Sequence, residues 1–257
     1  MDLWKALFLS FIQGSTEFLP ISSSGHLVLF QKIFGFSHPP VFFDVLLHAG
    51  SLLAVIIFFR QQILAIIKAK DKKILLFLIL GTLPVAIVGY FLNSKIEEIF
   101  NSLKLVSLMW ILFGIFILLS QKLIYQNPPN RKLEQITLFD ALFIGVFQAI
   151  AIFPGVSRSG MTIIGSLLRK FSPKTSFFLS FILFIPAILG ALILELKNGR
   201  FDGTDLRLGL LSLVFTTIFS LIFLKILQNV LQSNRLYLFG IYCLCLGLLI
   251  FLIFLIL

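Results

Sequence analysis

Charge is what this chain has least of. Only 12% of its 257 residues are Asp, Glu, Lys or Arg, where a soluble domain usually carries about a quarter. The scarcity excludes an ordinary water-soluble domain: 59% of residues are hydrophobic and the mean hydropathy is +1.07. Cysteine is nearly absent. Cys243 and Cys245 lie in the last apolar run, and a disulfide across one intervening helical residue has poor geometry. They read as packing residues and say nothing about redox compartment. A processed leader is not expected either: Trp4 to Ile12 is apolar but short, Asp2 precedes it and no small-residue cleavage site follows. That stretch reads as part of the mature protein. Acidic residues number 11 against 21 Lys and Arg, for a net charge of +10. Such a charge would suit nucleic acid, but these cations sit in short loops between apolar runs, where lipid headgroups and the positive-inside rule place them. The expected partner is the bilayer, with no nucleic acid.

What is present in abundance is apolar sequence of membrane-spanning length. Six segments read as full spans: Phe42 to Phe59, Ile74 to Leu92, Leu105 to Leu119, Thr175 to Leu194, Leu208 to Leu227 and Leu236 to Leu257. The third is short for a ~20-residue crossing and is expected to extend at both ends. Two further stretches, Trp4 to Phe34 and Leu138 to Leu168, are broken in the middle by Pro, Gly and serines. One kinked helix is the alternative; two half-helices joined by a turn, a re-entrant hairpin, is the reading that Leu19-Pro20-Ile21-Ser22-Ser23-Ser24-Gly25 favours. Irregular backbone at membrane depth must then be buried in protein or line a wet cavity.

The two broken stretches resemble each other. Gln13 lies nine residues before Ser22, and Gln148 nine before Ser157; each serine opens Ser-x-Ser-Gly, and Pro20 and Pro154 precede the turns. Each hairpin is followed by three spans, an odd number, so the second copy must sit upside-down. The fold expected is an all-α polytopic membrane protein, an inverted-topology repeat in which each half is a re-entrant broken-helix hairpin plus three transmembrane helices. It forms one membrane domain, 1–257, with a first repeat 1–125 (hairpin about 3–35) and a second 134–257 (hairpin about 137–169). Lys and Arg concentrate in 60–73, 122–132, 169–174 and 225–235. This places those loops in the cytoplasm and both termini outside.

Few charges interrupt the apolar stretches. Arg158 sits between two serines where a half-helix opens, and an arginine at membrane depth costs at least ~2.5 kcal/mol on insertion scales. Guanidinium, hydroxyls and free N–H groups at a helix start form an oxyanion site; the competing reading is a salt bridge to Glu17 or Asp44. Glu17 is suited to hold a divalent cation, act as a general base, or both, or simply to balance Arg158. His26, next to Gly25, is suited to move a proton, attack phosphorus, or only donate a hydrogen bond. Of the three serines one suffices as a helix cap, and Ser24 is placed for it; the others are free to bind phosphate or attack. Asp44 and His48 share a helical face behind these groups, and His38, beside Pro39 and Pro40, reads as solvated.

The segment from Gln13-Gly14-Ser15-Thr16-Glu17 through Pro20 and Ser22-Ser23-Ser24-Gly25-His26 resembles the first signature of the undecaprenyl-diphosphate phosphatase, or bacitracin-resistance protein, family. Pro154-Gly155-Val156-Ser157-Arg158-Ser159-Gly160-Met161-Thr162 resembles the second, and Gly81-Thr82-Leu83-Pro84 and Ile185-Pro186-Ala187 resemble segments between. The resemblance implies a bacterial inner-membrane hydrolase that converts undecaprenyl diphosphate to undecaprenyl phosphate and inorganic phosphate, recycling the cell-wall lipid carrier with a divalent cation, Mg or Ca. It implies functional roles for Glu17, Ser23, His26 and Arg158; the residues themselves favour Ser23 as nucleophile, with His26 or water as the alternatives. Substrate contacts are implied at Ser22, Ser24, Gly25, Ser157, Ser159, Gly160 and Thr162, and a metal on Glu17, with Gln13 and Asp44 as the further candidates. Gln13 departs from members with Glu there: it cannot be a base and is at best a neutral ligand. A flippase for polyprenyl phosphate using the same site is the alternative, and a homodimer is compatible with the sequence. Type 2 phosphatidic acid phosphatases share Ser-Gly-His and Ser-Arg, but need a His where this chain has Ile163 and a Lys-x6-Arg-Pro element that it lacks.

Overall fold

A computed structural model describes residues 2–36, 41–100, 102–126, 128–197 and 205–256. His38, Pro39 and Pro40 lie outside these. Among the described residues the chain is helical: α1 (Leu3–Thr16), α2 (Ser23–Ile33), α3 (Val41–Phe58), α4 (Arg60–Ala69), α5 (Lys72–Phe100), α6 (Leu103–Gln126), α7 (Leu138–Ile150), α8 (Arg158–Leu168), α9 (Pro173–Lys197), α10 (Leu206–Gln232) and α11 (Tyr237–Ile256). Six of these, α3, α5, α6, α9, α10 and α11, are long and apolar enough to cross a membrane. This is a polytopic membrane protein. The third span extends at both ends, to 24 residues. One expectation is corrected: the segment from Arg60 is not wholly loop, because Arg60-Gln61-Gln62-Ile63-Leu64-Ala65-Ile66-Ile67-Lys68-Ala69 closes into a short helix stopped by Lys70 in the left-handed conformation.

The outward faces are apolar. On α5, Leu75, Ile79, Leu83 and Ile87 recur every four residues and are all exposed, the stripe a lipid-facing helix presents. Inside, small residues let helices approach closely, as in membrane bundles. A Cβ on Gly145 of α7 would stand 2.7 Å from the Gly81 carbonyl oxygen on α5, and one on Gly114 of α6 the same distance from that of Gly240 on α11. The pairings cross between the halves: α1 packs along α10, α7 along α5, α6 along α11, and α3 touches α9.

Both broken stretches form helical hairpins. Pro20 and Pro154 stand in the gaps between half-helices, where their missing N–H breaks no helical bond. The second turn passes through Gly155 at φ +97°, and a Cβ there would meet the Val106 carbonyl at 2.6 Å, so only glycine fits. The base of this second hairpin is tied by ions. Asp140, fully buried in the first turn of α7, accepts from Arg131 Nη2 at 2.9 Å, Arg169 Nε at 2.5 Å and Thr137 Oγ1 at 2.8 Å. Burial alone would raise its pKa; the two guanidiniums and the Thr137 donors outweigh it and hold the carboxyl at about 2. A depressed carboxylate stabilises the fold above its ordinary pKa of 3.8, and that contribution is lost as pH falls towards about 2. Asp140→Ala strands two cations at the hairpin base, and its melting temperature in detergent should fall by about 5–10 °C. An unchanged thermal scan would show that the clamp carries no stability.

Candidate active site

The tips of the two hairpins touch. Ser22 and Ser157 cap the second helix of each, accepting from Gly25 N–H at 3.4 Å and Gly160 N–H at 3.2 Å. The cap of α2 is therefore Ser22 rather than Ser24. Across the contact, Gly155 N–H donates to Ser22 Oγ at 3.0 Å, while Ser157 Oγ donates to the Leu19 carbonyl at 3.2 Å. The two helix starts are thus held against each other, and a helix start is where backbone N–H groups are left without an intrahelical partner.

Glu17 lies where they meet and is buried. Its Oε1 accepts from Arg158 Nη2 at 2.6 Å, and its Oε2 accepts from Ser23 Oγ at 2.5 Å and Gln13 Nε2 at 3.0 Å. The salt-bridge reading of Arg158 is therefore realised in the geometry, yet it uses only part of the guanidinium. Arg158 Nη1 is buried and has no hydrogen-bond partner among the described residues. Its planar group lies over the Phe184 ring, 3.9 Å from the centroid, which holds the fork in place. A desolvated arginine donor without an acceptor asks for an oxyanion.

The remaining residues divide into those at the centre and those behind it. Ser24 lies 3.2 Å from Ser22 and Ser159 3.0 Å from Ser157, hydroxyl to hydroxyl. His26 uses both ring nitrogens: Nδ1 is 2.7 Å from the Ser22 carbonyl and Nε2 is 2.8 Å from the Tyr242 hydroxyl. Thr162 turns to α9, 2.6 Å from Ser180 Oγ. Gly25 and Gly160 pack directly against Trp110 and Pro20. Asp44 accepts from Gln31 Nε2 on both oxygens, at 2.8 and 3.0 Å. His48 comes nearer than its place behind Asp44 suggests, with Nε2 3.9 Å from Glu17 Oε2. Among the described residues no three His, Cys, Asp or Glu side chains gather as a metal site. Gln13 does bury an unpartnered Oε1 beside Glu17. Tyr242, Trp110 and Phe184 were not legible as site residues; the only sequence signal was the polar tip of Tyr242 and of Trp110 in otherwise apolar spans, and Phe184 had none.

Comparison with known proteins settles the lineage of this arrangement. The family described as bacitracin resistance protein BacA matches residues 6–249. The chain belongs to the BacA family. BacA relatives align along nearly all of it. It is 38% identical to an undecaprenyl-diphosphatase of Carboxydothermus hydrogenoformans, covering 96% of this chain and 95% of the relative. It is also 38% identical to an undecaprenyl-diphosphatase of Halothermothrix orenii, covering 97% of both, and to undecaprenyl-diphosphatase 3 of Bacillus cereus, covering 97% and 96%. The touching hairpin tips and the Glu17–Arg158 pair therefore belong to a BacA-family membrane protein.

Proposed function

We propose that the chain is a phosphatase of the bacterial cytoplasmic membrane that hydrolyses undecaprenyl diphosphate to undecaprenyl phosphate and inorganic phosphate. The carrying observation is the two-sided engagement of Glu17, with a serine hydroxyl on one oxygen and an arginine with a spare donor on the other. A hydroxyl bonded to a buried carboxylate is the arrangement of nucleophile and base. The name carried by the relatives supports the substrate.

In this mechanism Ser23 Oγ attacks the terminal phosphorus as Glu17 takes its proton. The bond from that phosphorus to the bridging oxygen breaks and undecaprenyl phosphate leaves. Water then attacks the phosphoserine: the phosphorus–Oγ bond breaks, Glu17 returns its proton to Ser23 Oγ, and both of the water's protons leave with the inorganic phosphate, which restores both serine and carboxylate. Arg158 Nη1 and the first-turn N–H groups of α2 and α8 bind the phosphoryl oxygens and offset charge that grows in the transition state. Ser24 and Ser159 complete the cradle, held by Ser22, Ser157, Gly25 and Gly160; His26 and Thr162 hold the turns from behind. A divalent cation, magnesium or calcium, belongs to this reading. Glu17 and the orphan Gln13 Oε1 would hold it, the diphosphate supplying further oxygens, and it would neutralise phosphate charge. The crossed helix pairings and the matching hairpins support an inverted repeat, 1–125 and 134–257, with re-entrant hairpins from opposite faces.

The test is phosphate release from undecaprenyl diphosphate by purified protein in detergent, where no transport can be scored. Release is expected, with Ser23→Ala slower by at least about 100-fold. No release by the wild type would leave lipid flipping as the activity. Release at the wild-type rate by Ser23→Ala would pass the attack to water.

A further inference from the structure

We propose that Tyr242, on the last helix, is a positioning residue for the reactive turn and acts through His26. The inference rests on the phosphatase reading for its kinetic consequence, and on geometry alone for its structural one.

The hydrogen-bond roles follow from what each partner can do. The Ser22 carbonyl only accepts, so His26 Nδ1 carries the proton in the bond of 2.7 Å. In a neutral imidazole Nε2 is then a bare lone pair. The Tyr242 hydroxyl, 2.8 Å away, must donate to it. The ring is fixed in orientation as well as tautomer. Tyr242 stacks on it, with centroids 5.8 Å apart and planes 13° apart, while Trp110 meets it edge-on at 5.1 Å. Trp110 is itself anchored, its Nε1–H donating to the Ile21 carbonyl at 2.9 Å. His26, 3% exposed, is left with no nitrogen to offer a substrate.

What the ring holds is a strained residue. Ser22 sits at φ 68° and ψ 96°, where a side chain bearing a Cβ is rarely found. Its carbonyl accepts from His26 twice, from Nδ1–H and from the backbone N–H at 3.3 Å. Its hydroxyl accepts from Gly155 across the hairpin contact. A run of bonds therefore leads from Tyr242 through His26 and Ser22 to the second hairpin. Ser23, next in the chain, takes its direction towards Glu17 from this turn. Cys243, the neighbour of Tyr242, lies 3.6 Å from the Pro20 carbonyl of the same turn. The last helix thus braces the first hairpin at two adjoining residues.

Tyr242→Phe keeps the ring and removes the donor. It should lower kcat for phosphate release by about tenfold and leave KM within about twofold. His26→Asn keeps a side-chain N–H for the Ser22 carbonyl and lacks Nε2, so adding Tyr242→Phe to it should change kcat by less than about twofold. Wild-type kcat in Tyr242→Phe would overturn the proposal. A rise in KM alone would also overturn it by making Tyr242 a substrate contact. So would an equal fall in the His26→Asn background, which would make the two residues independent. A readout free of activity separates this from the phosphatase reading: nitrogen NMR of labelled histidine in detergent micelles. The His26 Nε2 resonance should move on Tyr242→Phe while Nδ1 stays protonated. An unmoved resonance would overturn the positioning role even if phosphate release proceeds, and a moved one would uphold the bond even if no phosphate were released.

Discussion

Arg158→Ala should reduce kcat for phosphate release by about 1,000-fold while the protein still inserts. The Arg158 guanidinium has one nitrogen on Glu17 and another, Nη1, buried without a partner. Its truncation removes the donor that meets the transferred phosphoryl oxygens. It also leaves Glu17 a buried anion facing none of its former countercharge, which in other proteins costs about 3–5 kcal/mol. The variant must therefore be scored for folding as well as rate, by membrane yield and thermal stability in detergent. Arg158→Lys separates the two losses. Lysine restores a positive charge but neither the planar fork nor the stacking over Phe184, so stability should return further than rate. Recovery of full rate by lysine would show that only net charge matters here. A rate for Arg158→Ala within about tenfold of wild type would remove the arginine from the reaction.

Glu17→Gln is the second large effect, a fall in kcat of about 1,000-fold. The substitution preserves shape and leaves an acceptor for Arg158. It abolishes the carboxylate oxygen on which the Ser23 hydroxyl rests at 2.5 Å. An amide cannot take the serine proton, so the nucleophile stays a neutral hydroxyl. The paired measurement is the double variant Glu17→Gln with Ser23→Ala. If the two act as one unit, the double variant should be no slower than Glu17→Gln alone. A further fall in the double variant would mean that Ser23 attacks without help from Glu17.

The sequence carried the outline of the fold because hydropathy is a property of runs. The spans, the breaks at Pro20 and Pro154 and the extension of the third helix all follow from local composition. Helix α4 was missed for the complementary reason: Arg60-Gln61-Gln62 followed by a short apolar run has too little length to register as a span, and its terminus depends on one residue, Lys70, adopting the left-handed conformation. At the site, the residue types of Glu17, Arg158 and the serines were legible because charge and hydroxyl clusters are expensive at membrane depth. Their partners were not. Whether Arg158 would meet Glu17 or Asp44 depended on which helix turned inward, and Asp44 turned to Gln31 instead. The roles of Tyr242 and Trp110 are set wholly by packing between helices distant in sequence.

The bond between Glu17 and Arg158 spans 141 residues of chain, which gives it a meaning in time as well as in space. A ribosome delivers the first hairpin long before the second. Until Arg158 arrives, Glu17 lacks the guanidinium that bonds its Oε1 and has only the more distant His48 imidazole beside it, and a carboxylate in the hydrocarbon layer without its bonded cation is unfavourable. The opening segment of the protein must then wait at the membrane surface or in a wet intermediate and take its final depth only after the second half is made. The second hairpin would decide when the first is finished.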